Sequence, residues 1–388
     1  MALLKSSVQE RRRKNQTFDY VTELRSFLGK HPLLVLAVGF YPALDNSQPC
    51  GFDVEETVPC DRWLRQKQRA LDNKMLQALF RETVHQLQAE IPELGKTVVI
   101  DTSHIYAWVK ENNPREFITD RFDPNRQPTG DPDCRLGVKR SSNQDEVDDA
   151  PARVVKEYLW GYGTGLLAAT YPEYGDVVLA EYTLPFNEAD STYFAPLYER
   201  LMETTGFQPE NFAGDAAFDA WHIYQPFAEV GGMAAIPLNL RGHAQPKLGP
   251  GGYHLCPHDL EMAPSYQFNH GEGYGAQLLR CPKLFPLPTT APCDHPQFSK
   301  GGCVKQINIE AGGWMRVQLD RQSEAYKQLC KKRTASERIN SQAKALGIER
   351  PKVRNGESVV NLNTLTYIVI NARAMQRVRN IKAQARPP

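Results

Sequence analysis

Short apolar runs that stop at an aspartate limit the fold of this chain more than any other feature. Residues 96–103 (KTVVIDTS) form a β-branched run that predicts a buried strand ending at Asp101. After a polar connection at residues 111–151, predicted to be a loop, residues 211–221 (NFAGDAAFDAW) repeat the arrangement with an apolar run that stops at Asp215. Because ligand sites in α/β sheets lie at the carboxyl ends of the strands, both carboxylates are candidates for a functional site.

The segments around these two strands predict the rest of a sheet. Residues 156–170 and 176–185 are typical of two strands of a hairpin. Helical spacing follows at residues 189–205 and again at residues 223–231, before a last strand at residues 233–240. The resulting order, β, β, β, α, β, α, β, predicts an α/β fold with an acid at the ends of its first and fourth strands.

A stripe of polar side chains runs along a predicted late helix (CKKRTASERINSQAK). Cys330, Arg333, Glu337, Asn340 and Lys344 recur at steps of three and four residues, so they share a narrow sector of the helix. The opposite sector is apolar and contains Ala335, Ile339, Ala343 and Leu346. One interpretation is an amphipathic helix with a solvated charged face. The other is a site that holds a divalent metal together with a phosphate backbone, because one carboxylate lies between two cations.

The three acids together predict a metal site. If the first and fourth strands are parallel neighbours, Asp101 and Asp215 project side by side, and a helix packed across that edge brings Glu337 within reach. Three carboxylates suit two Mg²⁺ or Mn²⁺ ions, which activate a water or a 3′-hydroxyl and stabilise the leaving oxygen of a phosphodiester. For any single Asp at a strand end, a helix cap or a turn is the simpler explanation, so the hypothesis depends on all three acids.

The chain divides into four predicted regions. The first reads as helices, two of which meet near Asp72 after an N-cap at Asp61, and suits DNA binding, dimerisation or simple packing. A stretch rich in Gly, Pro, His and Cys interrupts the sheet as an insertion. The last region returns to the sheet with a strand pair at residues 307–320 and ends in two helices. The predicted boundaries are residues 1–94, 95–240, 241–304 and 305–388.

Four of the eight cysteines lie in the insertion and are the candidate zinc ligands of this chain: Cys256, Cys281, Cys293 and Cys303. Zinc takes four thiolate or imidazole ligands, usually including a closely spaced pair, whereas the gaps between these cysteines are long. We therefore expect buried, reduced thiols, with zinc as the less favoured interpretation.

The charge of the chain is unevenly distributed. Residues 331–388 carry thirteen Lys or Arg against three Asp or Glu, a net charge of +10, whereas the preceding residues carry 33 basic and 42 acidic side chains. A basic end beside the Glu337 stripe indicates a polyanionic partner, or else a solubility device. The longest apolar run, residues 32–44, is too short to span a bilayer and is broken by Pro42, and the first residues lack the features of a secretory signal. We therefore expect a cytosolic protein.

The segment around Glu337 resembles the signature of a large branch of DDE-type bacterial insertion-sequence transposases: Tyr, two residues, Arg, three residues, Glu, six residues, Lys. Arg333, Glu337 and Lys344 fall on this pattern, whereas Cys330 stands in place of the Tyr. Four further segments are similar to the same family: VVIDTS, DPDCRLGVK with LWGYGTG, FAGDAAFD, and ERPKVRNGESVVNLNTLTYIVINARAMQR. The resemblance covers roughly residues 50–380.

The resemblance implies a ribonuclease H-like fold, with a mixed five-stranded sheet flanked by helices. It also implies that Asp101, Asp215 and Glu337 hold two Mg²⁺ or Mn²⁺ ions, and that Arg333 and Lys344 hold the phosphates beside the cut. The reaction would be hydrolysis at transposon ends followed by attack of the freed 3′-hydroxyl on target DNA. The partner would be double-stranded DNA, bound by a homo-oligomer in the bacterial cytoplasm at the nucleoid.

The neighbouring basic side chains Lys331, Lys332 and Arg338 are further candidate DNA contacts. The Tyr of the family would donate a hydrogen bond to a phosphate, which the Cys330 thiol does only weakly. Two alternatives therefore stay open. One is a catalytically impaired DNA-binding protein derived from a transposase, and the other is a ribonuclease H-like nuclease without strand transfer.

Overall fold

The computed structural model describes residues 21–142, 154–240 and 245–385, which form a mixed α/β structure with helices flanking a multi-stranded sheet. The strands are β1 (Ala43–Leu44), β2 (Phe52–Asp53), β3 (Thr97–Tyr106), β4 (Arg135–Ser142), β5 (Val154–Tyr171), β6 (Gly175–Pro185), β7 (Asn211–Ala213), β8 (Met233–Ala235), β9 (Ala263–Asn269), β10 (Gly275–Arg280) and β11 (Val304–Asn308). The α-helices are Val21–Leu28, Pro32–Ala37, Val54–Thr57, Asp61–Arg69, Asn73–Glu90, Phe194–Thr205, Trp221–Glu229, Ala311–Gln318, Glu324–Lys331, Thr334–Ala345 and Gly356–Gln384. The basic N-terminal arm and residues 143–153 of the predicted long loop lie outside the described residues.

The central sheet is mixed, and its strand order places β3 beside β7. The order is β4, β5, β3, β7, β8, and β6 also pairs with β5, so the sheet has six strands where the resemblance implied five. β3, β7 and β8 are parallel, whereas β5 runs antiparallel to β3, β4 and β6. The condition for the predicted acidic pair, that the strands before Asp101 and Asp215 are parallel neighbours, is therefore met. The predicted hairpin is also present, as β5 and β6.

Two strands differ from the prediction. β4 lies in the segment predicted to be a loop and pairs with the first half of β5. Its sequence, RLGVKRSS, has no sustained apolar alternation, so its extended conformation depends on the partner strand rather than on local propensity. β3 continues to Tyr106, so the prediction that the strand ends at Asp101 was wrong, and Asp101 lies in mid-strand.

The Thr334–Ala345 helix packs across β3, β5 and β6, and its predicted apolar side is buried at Ala335, Ile339 and Ala343. The predicted continuous helix from residue 330 to 344 was wrong, because one helix ends at Lys331 and the next begins at Thr334. The Glu324–Lys331 helix packs on β7 and β8 instead, so the chain turns between this helix and the Thr334–Ala345 helix. The Arg333 amide closes this turn on the Cys330 carbonyl at 3.0 Å.

The opposite face of the sheet is covered by the Phe194–Thr205 helix, which the sequence predicted. It approaches β5 closely because that strand has glycines where the helix docks. A Cβ atom at Gly165 would lie 2.7 Å from the Tyr193 ring and 3.1 Å from Leu197. The close contact therefore requires glycine at this position.

The two long helices, Asn73–Glu90 and Gly356–Gln384, pack against each other and against β6. Asn371 fixes the second helix to the sheet, because its amide accepts from the Val178 N–H at 2.9 Å and donates to the Val178 carbonyl at 2.8 Å. The first helix contributes Phe80 and Leu87 to the same hydrophobic core as the central strands. The predicted boundary at residues 94 and 95 thus separates two elements that share one core.

The residues before Asn73 form a smaller core of their own. Leu24, Leu28, Val35, Phe52 and Val58 are buried together there. The Asp61–Arg69 helix begins as expected at this point of the sequence, but its N-cap residue is Cys60, and Asp61 lies in its first turn. The prediction of an N-cap at Asp61 was therefore wrong by one residue.

The insertion forms a separate three-stranded antiparallel sheet in the order β11, β10, β9, and because β11 runs to Asn308, the predicted end of the insertion at residue 304 was too early. Its hydrophobic core is small and consists of Cys256, Met262, Leu279 and Ile307. The strand pair predicted at residues 307–320 was wrong, because β11 ends at Asn308 and the Ala311–Gln318 helix follows. No helix in the described ranges is both long enough and apolar enough to cross a membrane.

Candidate functional site

Asp101 and Asp215 lie side by side because of the register between β3 and β7. Val99 pairs with Ala213 in this parallel ladder, and each aspartate follows two residues later. Asp101 lies within β3 and Asp215 lies two residues beyond the end of β7, so the shared register brings the two carboxylates near each other. Asp215 ends its extended segment and caps a short 3₁₀-helix, Ala216–Phe218, by accepting from the Ala217 N–H at 2.8 Å.

The two carboxylates influence each other electrostatically. Burial raises the pKa of Asp101 to about 6, and the nearby Asp215 adds to the increase. The Thr102 N–H, the Arg333 guanidinium and the Asn340 amide act in the opposite direction and stabilise the ionised form. A bound cation would further stabilise the ionised form of this half-buried carboxylate, because it would offset the negative charge of the second one.

The Thr334–Ala345 helix adds a polar group to this pair. Asn340 donates from Nδ2 to Asp101 Oδ2 at 2.9 Å. Its amide oxygen is buried and has no hydrogen-bond partner among the described residues, and the side chain as a whole is only 9% exposed. Asn340 was predicted to lie on the polar stripe but was not assigned a role, because spacing alone does not identify its partner.

Glu337 lies on the same helix but faces solvent. Its carboxylate is 3.3 Å from the Arg333 guanidinium, and its side chain is 55% exposed. In the described parts of the chain, one group of three His, Cys, Asp or Glu side chains has all its ligand atoms within 4.8 Å, and that group is in the insertion. Asp101, Asp215 and Glu337 therefore do not converge to ligand distance in this arrangement.

Asp190 is a further acid at this site that the sequence did not indicate. It accepts from the Thr102 hydroxyl at 2.7 Å. Burial raises its pKa, and Asp215 raises it further. The sequence predicted only that Asp190 lies near the start of a helix. In the structure it lies in a 3₁₀ turn, Asp190–Tyr193, that contacts the turn after Asp215.

The basic residues predicted to bind DNA differ in exposure and in whether they already form an ion pair within the protein. Lys331 and Lys332 are exposed, and Lys344 is 3.3 Å from Glu349 at the surface. Arg338 instead forms a two-pronged ion pair with the buried carboxylate of Asp176, at 2.6 and 2.7 Å. Its guanidinium therefore has a structural partner, and we do not include Arg338 in a DNA surface.

Cys330, which stands in place of the family's Tyr, is partly buried at the end of the Glu324–Lys331 helix. A tyrosine does occur one turn earlier, but Tyr326 is only 7% exposed. Burial raises the pKa of Tyr326, and contact with Cys330 raises it further. Tyr326 is thus a core residue and not a displaced copy of the signature Tyr.

A surface of stacked basic and aromatic side chains lies at the C-terminal end of β3, after Asp101 in the chain. The Arg350 guanidinium is 4.0 Å from the centre of the Tyr106 ring, and Arg354 is 5.0 Å and Lys352 5.9 Å from that of Trp108. All three cations are exposed, and Trp108 is 42% exposed. We call these five residues the basic-aromatic surface. The sequence showed the charges but could not show that they stack on β3.

The four cysteines of the insertion lie near one another although they are far apart in the sequence, but no three of their sulfur atoms are within 4.8 Å of one another. Cys256 and Cys281 are buried, and Cys293 and Cys303 are partly buried. Burial raises the pKa of Cys303, and the thiols of the other three cysteines raise it further. All eight cysteines of the chain are unpaired thiols.

Polar side chains surround these thiols. The Cys303 sulfur is 3.4 Å from His295 Nδ1, and His258 Nε2 is 2.8 Å from Asp294 Oδ1. His258, Cys293 and Asp294 offer ligand atoms that all lie within 4.8 Å of one another.

Comparisons with known proteins do not identify a family for this chain. No family model matches it, and no curated protein matches it.

Proposed function

We propose that this chain is a metal-dependent DNA transposase that cuts phosphodiester bonds at the ends of a mobile element and joins the 3′-hydroxyl ends to target DNA. The observation that carries the proposal is the position of Asp101 on β3 and of Asp215 two residues beyond β7, its parallel neighbour, under a helix that supplies Asn340. The order β6, β5, β3, β7, β8, with three parallel strands beside an antiparallel pair, supports the ribonuclease H-like assignment.

Asp101 and Asp215 fit a divalent cation. Their oxygen atoms are the hard ligands that Mg²⁺ and Mn²⁺ prefer, and a cation would offset the burial and the repulsion by Asp215 that raise the pKa of Asp101. The unpartnered Asn340 oxygen is a further polar atom at this position. When bound, such an ion polarises the phosphate and activates the attacking water or hydroxyl.

Glu337 requires a rearrangement before it can join this pair, because its carboxylate is bound to Arg333. A DNA phosphate is a bidentate partner for the same guanidinium. Binding of DNA at Arg333 would therefore compete with the ion pair and release Glu337 toward Asp101 and Asp215. Arg333 is already close enough to Asp101 to lower its pKa, so the phosphate it binds would lie beside the acidic pair.

The basic-aromatic surface extends the proposed DNA path away from the cut. Tyr106 follows Asp101 by five strand residues, a distance of about 17 Å. The loop that carries the cations is fixed to this strand end, since the Tyr106 N–H donates to the Glu349 carbonyl at 2.9 Å. Lys344 lies near the half-buried His104 of β3, whose pKa is lowered to about 4 by burial and by the nearby charges of Lys139 and Lys344.

A second candidate function is DNA binding without catalysis. Two observations favour it: Glu337 is paired away from the acidic pair, and Cys330 stands where the family has Tyr. A nuclease that cuts without joining is the third candidate.

The three candidates give different products with end-labelled duplex DNA from the two ends of the element that encodes the chain. With Mg²⁺ or Mn²⁺ we expect cleaved and joined products, and Glu337→Gln should abolish both while retaining DNA binding. The control is Glu324→Gln, an exposed acid on the preceding helix, which should leave the products unchanged. Binding without cleavage by the unmodified protein would favour the second candidate, and cleavage without joining the third. Cleavage that survives Glu337→Gln would contradict the assignment of Glu337.

A further inference from the structure

We propose that the insertion binds one structural zinc ion through the thiolates of Cys256, Cys281, Cys293 and Cys303. The four thiols come from separate segments of the chain, and no three of their sulfur atoms lie within 4.8 Å of one another, so zinc binding would draw these segments closer together. Cys303 packs against the small core that contains Cys256. Zinc favours four such soft ligands in a tetrahedral arrangement.

Two of the cysteines begin tight turns of similar form. Cys256 and Cys281 both precede a proline. The Asp259 N–H returns to the Cys256 carbonyl at 2.9 Å, and the Leu284 and Phe285 N–H groups return to the Cys281 carbonyl at 3.1 and 3.0 Å. The fold thus brings the cysteines nearer to one another than the long gaps in sequence, which argued against zinc, would suggest.

The backbone before Cys303 passes directly over Cys281. Gly302 has a φ of +87°, and a Cβ atom there would lie 2.6 Å from Cys281 Cβ and 3.4 Å from its sulfur. Only a glycine permits this approach and this backbone conformation. This glycine therefore lets the backbone that carries Cys303 pass next to Cys281.

The insertion needs such a link, because its own core is too small to hold it. Among the described residues that core has four buried apolar side chains with four partly buried ones packed against them, and Cys256 and Cys303 are two of these eight. The segment from Cys281 to Cys303 contains no strand and a single 3₁₀ turn, Phe298–Lys300. Small units with so little core are usually held by disulfides or by a metal, and these cysteines form no disulfide.

The histidines and Asp294 fit the role of outer partners. His295 lies within hydrogen-bond distance of the Cys303 sulfur, and His258 is paired with Asp294. Such contacts orient metal ligands and stabilise thiolates. The competing arrangement is a mixed site made by His258, Cys293 and Asp294, which are exposed or only partly buried.

The test begins with metal analysis of the full chain grown with zinc and purified without chelators. We expect about one zinc ion per chain. Each of the four Cys→Ser variants should lose it, whereas the control Cys60→Ser, an exposed cysteine outside the insertion, should retain it. A zinc content near zero in the unmodified chain, or retention of zinc in all four variants, would overturn the proposal.

Cobalt substitution of the unmodified chain gives a second measurement that does not depend on the variants folding. Four thiolate ligands should give intense sulfur-to-cobalt charge-transfer bands and the visible bands of tetrahedral Co²⁺. Weak bands of a single thiolate, lost in His258→Gln, would overturn the four-cysteine site in favour of the mixed one. Because this site shares no residue with Asp101, Asp215 or Glu337, either result is independent of the proposed DNA chemistry.

Discussion

The central sheet and the insertion position their functional side chains by different physical means. The largest fully buried side chains of the described residues, such as Trp160, Tyr224 and Phe212, all lie outside the insertion. Around the central sheet, packing alone fixes the strands, and the register of β3 and β7 then fixes Asp101 and Asp215. In the insertion, the cysteines lie mostly on turns and loops around a four-residue core. The first site should therefore survive the loss of its ligand, and the second should not.

Removal of metal should separate the two regions most clearly. On treatment with a strong chelator we expect the amides of residues 275–280 in β10 to lose protection from hydrogen exchange by about 10³-fold or more, because ligand binding and folding are linked there. The amides of residues 163–168 in β5 should change little. Equal loss in both regions would show that the central sheet also depends on metal, and no loss in β10 would show that its core suffices.

Asp215→Asn should change chemistry without changing the fold. Asparagine also caps helices, so the bond to the Ala217 N–H is retained, while the charge that a cation requires is lost. We expect cleavage of end-labelled DNA to fall by on the order of 10³-fold, equivalent to about 4 kcal/mol. Thermal unfolding, measured in parallel, should shift by only a few degrees. A collapse of thermal stability would mean that Asp215 is mainly structural.

Asp101 should make the metal-free protein less stable as the pH rises. Its pKa is about 6 in the folded state, against 3.8 in the unfolded chain, so between these values the unfolded state releases its proton first. The free energy of unfolding should fall across this interval by about 1–3 kcal/mol and level off above it.

Asp101→Asn should remove this pH-dependent part of the free energy of unfolding. The measurement is the difference between the urea-unfolding curves of the variant and the unmodified protein at pH 4 to 8. Mg²⁺ should restore stability above pH 6 in the unmodified protein and not in the variant. Parallel curves for both proteins at every pH would contradict the assigned burial of the carboxylate.

Asn340→Ala should raise the pKa of Asp101 further, because it removes a hydrogen bond to the ionised form. The expected shift is about half a unit to one unit, or roughly 1 kcal/mol. Titration of the Asp101 carboxyl by carbon NMR measures it directly. Ser341→Ala, at the exposed next position of the helix, is the matched control. A shift of the same size in the control, or a fall in the pKa, would refute the role of Asn340.

The smallest expected effect concerns the basic-aromatic surface. Lys352→Ala and Arg354→Ala should each weaken DNA binding regardless of sequence and reduce the slope of log K against log[salt] by about one. Lys96→Ala, an exposed lysine just before the start of β3, should leave the slope unchanged. If the Lys352→Ala and Arg354→Ala variants keep the slope of the unmodified protein, the basic-aromatic surface does not contact the DNA backbone.

Local pattern predicted the elements whose side chains carry a clear period. The strand before Asp215, the β5–β6 hairpin and the buried side of the Thr334–Ala345 helix all follow from alternation or helical spacing. β4 lacked such a pattern, and its conformation comes from pairing with β5. The turn at residues 332 and 333 was also missed, because each flanking segment is helical by itself and only their docking on different strands breaks them apart.

The sequence by itself determined which residues could take part in each site: Asp101, Asp215 and Glu337 as hard oxygen ligands, and four cysteines as soft ones. Their side-chain chemistry is a local property and can be read without a fold. The tertiary structure decided which of them meet. Glu337 pairs locally with Arg333, four residues before it. The tertiary contacts brought Asp190 and Asn340 to the acidic pair, engaged Arg338 with Asp176, and placed the four cysteines near one another. These distances depend on strand register and on docking between distant segments, which spacing along the chain does not encode.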